Sequence, residues 1–247
     1  MKRKNILFCS IVVVLATGFV ISACTKSFSE KTSQNLNFNN KSLVQVYLAV
    51  VNASRNYIYV DGNLITGSLM SSGSVFPSTA YASSIEPGVK GFFVRDTLST
   101  STQVPLSFTT NMQVGKNYTI FLYDSLDAPK QKTVETNIVV PADTTARLRF
   151  ANFVHSKTAI PGIDIFSKRL NQNLFTNINI SDITGFIPFP SAFTDTLYVR
   201  STGNTTNLIT FNGLNLAAKR SYTLVLRGSY FVTSGTAART LSQFTNY

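Results

Sequence analysis

The sequence predicts an all-β chain built as two tandem sandwiches, and three observations carry that expectation. From residue 43 onward bulky apolar side chains alternate with others at a period of two, as in Arg147-Leu148-Arg149-Phe150-Ala151-Asn152-Phe153, and helical spacing is nowhere sustained. Asp61-Gly62, Pro87-Gly88 and Gly115-Lys116 supply turn chemistry between the alternating runs. The second half of the chain then repeats the first. Copies of about a hundred residues have the size of a sandwich domain, whereas solenoid repeats run to about 20 to 50.

The amino end is organised differently. Lys2, Arg3 and Lys4 precede an apolar run from Ile6 to Val20, followed by Ile21-Ser22-Ala23-Cys24. That is a secretory signal layout, and the run is short against the roughly 20 residues a spanning helix needs. Ile21-Ser22-Ala23-Cys24 resembles the bacterial lipoprotein box, which implies cleavage after residue 23 and a lipid on Cys24. Cys9 would leave with the signal, so the mature chain would keep no free thiol. Thr25, where an aspartate commonly retains such proteins at the inner membrane, makes the outer membrane the expected location. Residues 24–41, rich in Ser, Thr, Asn, Gln and Lys, read as a flexible tether.

Downstream, Val44 to Val51, Tyr57 to Val60, Lys90 to Arg95, Tyr118 to Tyr123 and Val134 to Val140 read as strands of the first copy. Val51-Asn52-Ala53-Ser54 aligns with Phe153-Val154-His155-Ser156, an offset of 102, which sets Ala53 against His155. Tyr57-Ile58-Tyr59-Val60 can be laid on Gly162-Ile163-Asp164-Ile165-Phe166 after a short insertion. Phe93-Val94-Arg95 matches Tyr198-Val199-Arg200 at 105, and Asn117-Tyr118-Thr119-Ile120-Phe121-Leu122 matches Ser221-Tyr222-Thr223-Leu224-Val225-Leu226 at 104. Pro141-Ala142-Asp143-Thr144 interrupts the strand patterns, so domain 1 is expected over 42–140 and domain 2 over 141–247.

Arg149-Phe150-Ala151-Asn152-Phe153-Val154-His155-Ser156, leading to Pro161-Gly162-Ile163-Asp164-Ile165-Phe166, resembles the opening of the domain-of-unknown-function 4397 family. The first copy keeps Tyr57-Ile58-Tyr59-Val60-Asp61-Gly62 and Gly115-Lys116-Asn117-Tyr118-Thr119, but Asn52-Ala53 replaces the histidine step. The resemblance frames nearly all of residues 43–247. It implies two immunoglobulin-like β-sandwiches outside the cytoplasm and no established catalytic residues.

Composition narrows the chemistry. The chain has 247 residues, 44% of them hydrophobic, enough to bury a substantial core. It has one histidine, two cysteines, no tryptophan, and 22 bases against 11 acids. Three of those bases and none of the acids fall in residues 1–23, leaving a mature chain of formal charge +8. The bases are dispersed beyond short doublets at Lys168-Arg169 and Lys219-Arg220, unlike a nucleic-acid module, so no nucleic-acid partner is expected.

His155 is the only histidine, and a catalytic triad would need a serine and a carboxylate to converge on it without a G-x-S-x-G elbow. It reads instead as a strand-end histidine bonded to a turn. Zinc wants three or four ligands, and neither zinc nor any other metal or cofactor is expected. Asp61-Gly62-Asn63 and Asp124-Ser125-Leu126-Asp127 offer oxygens that calcium could use, yet both sit where hairpin turns belong. Glycoside hydrolysis needs a fixed carboxyl pair, and the acids are scattered. Asp96-Thr97, Asp124-Ser125, Asp143-Thr144 and Asp195-Thr196, each followed by Leu or Thr, resemble the sequon for O-glycans in some Gram-negative envelope proteins. That makes Thr97, Ser125, Thr144 and Thr196 candidate O-glycosylation sites.

These readings lead to a lipid-anchored outer-envelope protein that binds or builds and does not catalyse. Its expected partners are the membrane, through the lipid, and a glycan or another envelope macromolecule. The alternative is a periplasm-facing subunit of an outer-membrane complex, and a hydrolase ranks behind both.

Overall fold

The computed structural model describes residues 40–78 and 81–246. The signal segment, Cys24 and the tether as far as residue 39 lie outside the described residues. The first repeat supplies β1 (Ser42–Leu48), β2 (Asn56–Val60), β3 (Asn63–Leu64), β4 (Val75–Phe76), β5 (Ser83–Ile85), β6 (Gly88–Asp96), β7 (Leu106–Met112), β8 (Asn117–Asp124) and β9 (Pro129–Glu135). The second supplies β10 (Ala146–Asn152), β11 (Ile163–Ser167), β12 (Gln172–Ile178), β13 (Ile187–Phe189), β14 (Asp195–Ser201), β15 (Asn207–Leu214), β16 (Ser221–Arg227) and β17 (Thr240–Asn246). The described chain is therefore all-β.

The strands form four sheets. Two run β3-β2-β6-β7 and β12-β11-β14-β15, and two run β4-β1-β8-β9, with β5 also on β1, and β13-β10-β16-β17. In each of the latter pair the first strand of the repeat runs parallel to a later one, β1 on β8 and β10 on β16, while other neighbours are antiparallel. Val44, Val46 and Leu48 of β1 pack with Ile58, Phe92 and Val94 in one core. Leu148 and Phe150 of β10 pack with Ile163, Ile165, Leu197 and Val199 in a second.

A third core joins the repeats. Tyr47, Ala49 and Phe121 of the first repeat meet Ala151, Phe153, Val225 and Phe244 of the second. The alternate residues of β1, β8, β10 and β16 thus point away from their own repeat and into the other, because side chains one apart on a strand leave opposite faces. The four sheets consequently stack in four layers, with the sheets of β1 and β10 inside and those of β2 and β11 outside. Phe121 stacks on Phe153 at 4.8 Å between ring centres, and Tyr47 on Phe244 at 5.3 Å. Burying each such ring stabilises by about 1.5–3 kcal/mol.

Polar groups in this layer satisfy one another. Gln45 donates to the Thr245 carbonyl at 3.2 Å and accepts from Asn246 Nδ2 at 3.2 Å. At the equivalent place in the second repeat, Arg149 donates to the hydroxyls of Thr223, Thr119 and Thr136 at 2.8, 3.1 and 3.2 Å. Its guanidinium also lies 4.7 Å from the centre of the Phe186 ring.

Three expectations need correction. Arg147 to Phe153 is not a strand with one buried face: from Leu148 to Phe153 every residue is buried, because the second face is covered by the first repeat. The strand expected over Val134 to Val140 begins at Pro129 and ends at Glu135, and Val139 and Val140 are exposed. His155 corresponds to Val51, not Ala53: the Val51 N–H reaches the Asp124 carbonyl as the His155 N–H reaches that of Gly228, an offset of 104 on both sides. Asp124 and Gly228 share a left-handed backbone, with φ of 81° and 84°. The 105 and 104 offsets place equivalent residues on β6 and β14 and on β8 and β16.

Candidate functional site

The outer faces of the two outer sheets carry the same arrangement of side chains. In the first repeat β2 pairs with β6 in the register Tyr57 with Arg95, Ile58 with Val94 and Tyr59 with Phe93. In the second β11 pairs with β14 as Asp164 with Arg200, Ile165 with Val199 and Phe166 with Tyr198. Ile58, Val94, Ile165 and Val199 are buried in the cores, so their neighbours point outward. Each repeat therefore presents one arginine and two aromatic rings at equivalent positions.

The rings and guanidinium groups interact. Arg95 lies 5.7 Å from the Tyr59 ring centre, and Tyr59 is 6.1 Å from Phe93. Arg200 lies 4.2 Å from Phe166 and 5.1 Å from Tyr198, whose rings are 6.3 Å apart and 13° from parallel. Cation–π attraction fixes each arginine over its rings. Arg200 also donates from Nε to Asn207 Oδ1 at 2.7 Å, which leaves its terminal nitrogens as the remaining donors of the fork.

Beside the second platform is a cavity of about 250 Å³ bordered by Asp164, Phe166, Asn173, Arg200, Asn204 and Thr205. Asp164 is 5% exposed and accepts hydrogen bonds from Asn177 N at 2.8 Å, Thr202 Oγ1 at 2.7 Å and Asn173 Nδ2 at 3.4 Å. It is the only carboxylate lining the cavity, and a hydrolytic site on a sugar needs two. The combination suits holding a ligand: an aromatic face for C–H surfaces, with guanidinium, amide and hydroxyl groups at its edge.

His155 sits elsewhere, at one end of the layer between the repeats. Its Nδ1 is 2.6 Å from Asp124 Oδ1, while Lys130 Nζ is 2.7 Å from Asp124 Oδ2. Burial would raise the Asp124 carboxyl, but hydrogen bonds from Lys130 and His155 outweigh it and hold it below the usual carboxylate value. Among the described residues no serine hydroxyl hydrogen-bonds to the ring; its partner is Asp124.

The other candidate residues are separate. Asp61 spends its oxygens on Gly91 N–H and Lys90, both at 2.9 Å, within a turn where Asp61 and Gly62 have φ of 49° and 80°. Among the described residues no three His, Cys, Asp or Glu side chains gather as a metal site. Thr144 is exposed, and Thr97, Ser125 and Thr196 are half-buried. In each case the preceding aspartate accepts a nearby backbone N–H: from Leu98 at 2.9 Å, Ser125 at 2.9 Å, Thr145 at 3.0 Å and Thr196 at 2.7 Å. These are local turn bonds.

The sequence pattern does not single out the platforms, because a phenylalanine in an alternating strand reads equally well as a core residue. The signal was present in the aligned triplets Phe93-Val94-Arg95 and Tyr198-Val199-Arg200: an aromatic two residues from an arginine shares the arginine's face.

No family model matches the chain, and no curated protein matches it. Among solved structures it is similar to CBMbc, a family CBM26 module of Eubacterium rectale Amy13K crystallised with maltoheptaose. The identity is 12%, the match covers 82% of this chain and 96% of that one, and the TM-score is 0.27. A likeness at that TM-score carries no argument about ligand, so the functional reading rests on the two platforms.

Proposed function

We propose that this chain is a non-catalytic binding module of the cell envelope that holds glycan on its two arginine–aromatic platforms. The observation that carries the proposal is their duplication: Tyr59, Phe93 and Arg95 recur as Phe166, Tyr198 and Arg200 on outer faces that the core does not use. Solvent-facing aromatic rings cost solubility without contributing to the core, which favours a role in binding. Two platforms on one chain would raise avidity for a polymer that reaches both.

The cellular context belongs to the same proposal. Lipid on Cys24 would tether the protein to the outer membrane, and immunoglobulin-like sandwiches of the domain-of-unknown-function 4397 type would form the ligand-bearing part. O-glycans on Thr97, Ser125, Thr144 or Thr196 are a further part of it, tested by intact mass of protein from its own host.

Affinity electrophoresis through gels containing xylan, mannan, amylose or polygalacturonate tests the binding. The wild type is expected to be retarded in at least one gel. Phe166→Ala or Tyr59→Ala should each weaken binding about tenfold, equivalent to about 1.4 kcal/mol, and the double variant should migrate freely. Retardation of the double variant equal to that of the wild type would refute the platform reading. Protease treatment of intact against permeabilised cells tests display: cleavage on intact cells is the expected result, and protection until permeabilisation would favour a periplasm-facing subunit.

A further inference from the structure

At the same end of the layer between the repeats as His155, whose N–H reaches the Gly228 carbonyl, a crevice of about 400 Å³ is lined by Asn52 and Ser54 of the first repeat and Arg227, Thr236 and Thr240 of the second, together with Ser71 and Ser72. Arg227 is its only charged lining residue. The Arg227 guanidinium lies against the backbone of Gly73, where a Cβ would stand 2.7 Å from Nη2 and 2.8 Å from Cζ and Nε. Nη1 donates to Ser72 Oγ over a long 3.4 Å, the guanidinium also faces the Tyr47 hydroxyl, and Nε is buried without a hydrogen-bond partner. With Nε enclosed, the terminal guanidinium nitrogens are the donors that an acceptor in the crevice would meet.

In the first copy the left-handed position at the end of β8 is Asp124, whose carboxylate joins His155 and Lys130. The equivalent position in the second copy is Gly228, where a Cβ would stand 2.1 Å from the Ala238 carbonyl oxygen, so the chain places no carboxylate beside Arg227. Thr236 donates to Asn52 Oδ1 at 2.9 Å across the crevice, tying the two repeats together around it.

We infer that this crevice is a binding subsite for a small carboxylate ligand bearing hydroxyl groups, of the uronic-acid class. A guanidinium matches a planar carboxylate through two parallel N–H donors, and a single positive charge matches a monoanion. The surrounding serine, threonine and asparagine groups pair with hydroxyls. The subsite is distinct from the outer platforms and does not depend on them.

Isothermal titration with sodium D-glucuronate at fixed ionic strength tests the inference, with D-glucose, inorganic sulfate and inorganic phosphate titrated in parallel. Glucuronate is expected to bind saturably at one site, and glucose is expected to give no saturable heat. Arg227→Gln should weaken glucuronate binding at least about tenfold, as expected for loss of a charge-assisted pair. Because that change could also disturb the packing on Gly73, Ser72→Asp provides a second arm. It places a carboxylate beside Arg227 and should abolish glucuronate binding without lowering the melting temperature. Equal glucuronate affinity in wild type and a folded Ser72→Asp variant overturns the assignment. So does saturable binding of sulfate or phosphate without glucuronate, or no saturable binding of any anion.

Discussion

Arg149 is charged and 4% exposed, with three threonine hydroxyls and no carboxylate as its partners. Burial alone pulls its guanidinium pKa down to about 10, below the usual arginine range. The threonines do not need it: Thr119 bonds Thr136, and Thr223 bonds Asn246, each at 2.7 Å. Arg149→Met should therefore stay within about 1 kcal/mol of wild type or exceed it, since the desolvation cost of the charge disappears. Arg149→Ala should lose about 2–4 kcal/mol, because it also leaves a void between the layers. Urea unfolding of the two variants checks the contrast, and equal losses would show that the charge itself is needed. Asp124 gives a pH dependence of definite sign. Its folded carboxyl lies below the ordinary 3.8, so the folded chain sheds that proton at lower pH than the unfolded one. The resulting stabilisation is complete above about pH 4 and is lost as the pH falls through the folded value. Asp124→Asn, which tolerates the left-handed backbone, should be less stable at pH 7 and show a shallower decline between pH 4 and 2. Identical acid limbs in wild type and variant would contradict the Lys130 and His155 contacts as the source. The convergence of Asp124 on His155 was not legible in sequence, since 31 residues and two repeats separate them.

At the scale of elements, β1, β8, β10 and β16 have two buried faces, and this decides what substitutions do. Phe150 fills the second repeat's own core, whereas Phe153 enters the layer shared with Phe121 and Tyr123. Phe153→Ala should cost about 3–5 kcal/mol, as much as Phe150→Ala, although a reading with one buried face per strand would place it at the surface. A loss below about 1 kcal/mol would show that the inner sheets do not pack as described. Alternation and turn chemistry made most of these strands legible, including β2, β6 and β8, because hairpin pairing and core burial act locally. The end of β9 was misread because Val139 and Val140 look like strand residues while no neighbouring strand takes them up. The two-residue error at His155 had a related cause: short apolar motifs slide along one another, and the β1–β8 and β10–β16 registers remove that freedom.

On the scale of the whole molecule, the described residues belong to one compact unit, and the third core explains why. Unfolding one repeat would expose Tyr47 and Phe121 or Phe153, Val225 and Phe244 on the other. Denaturation followed by circular dichroism should accordingly show a single transition, and two well-separated transitions would contradict coupling through that core. The duplication itself was legible from the matched motifs, but the four-layer stack was not, since nothing local encodes which sheet faces which. The same limit hid the candidate site. An outward Phe166 and an inward Phe150 differ only in strand phase, and the structure, through Ile165 and Val199 in the core, sets that phase.

The direct test of the binding claim is the mobility of the wild type beside Tyr59→Ala/Phe166→Ala in the same polysaccharide gels, with unfolding curves confirming that both are folded. The expected result is retardation of the wild type in at least one gel and free migration of the double variant. Equal retardation of both, or no retardation of the wild type in any gel, would contradict a binding role for the paired platforms.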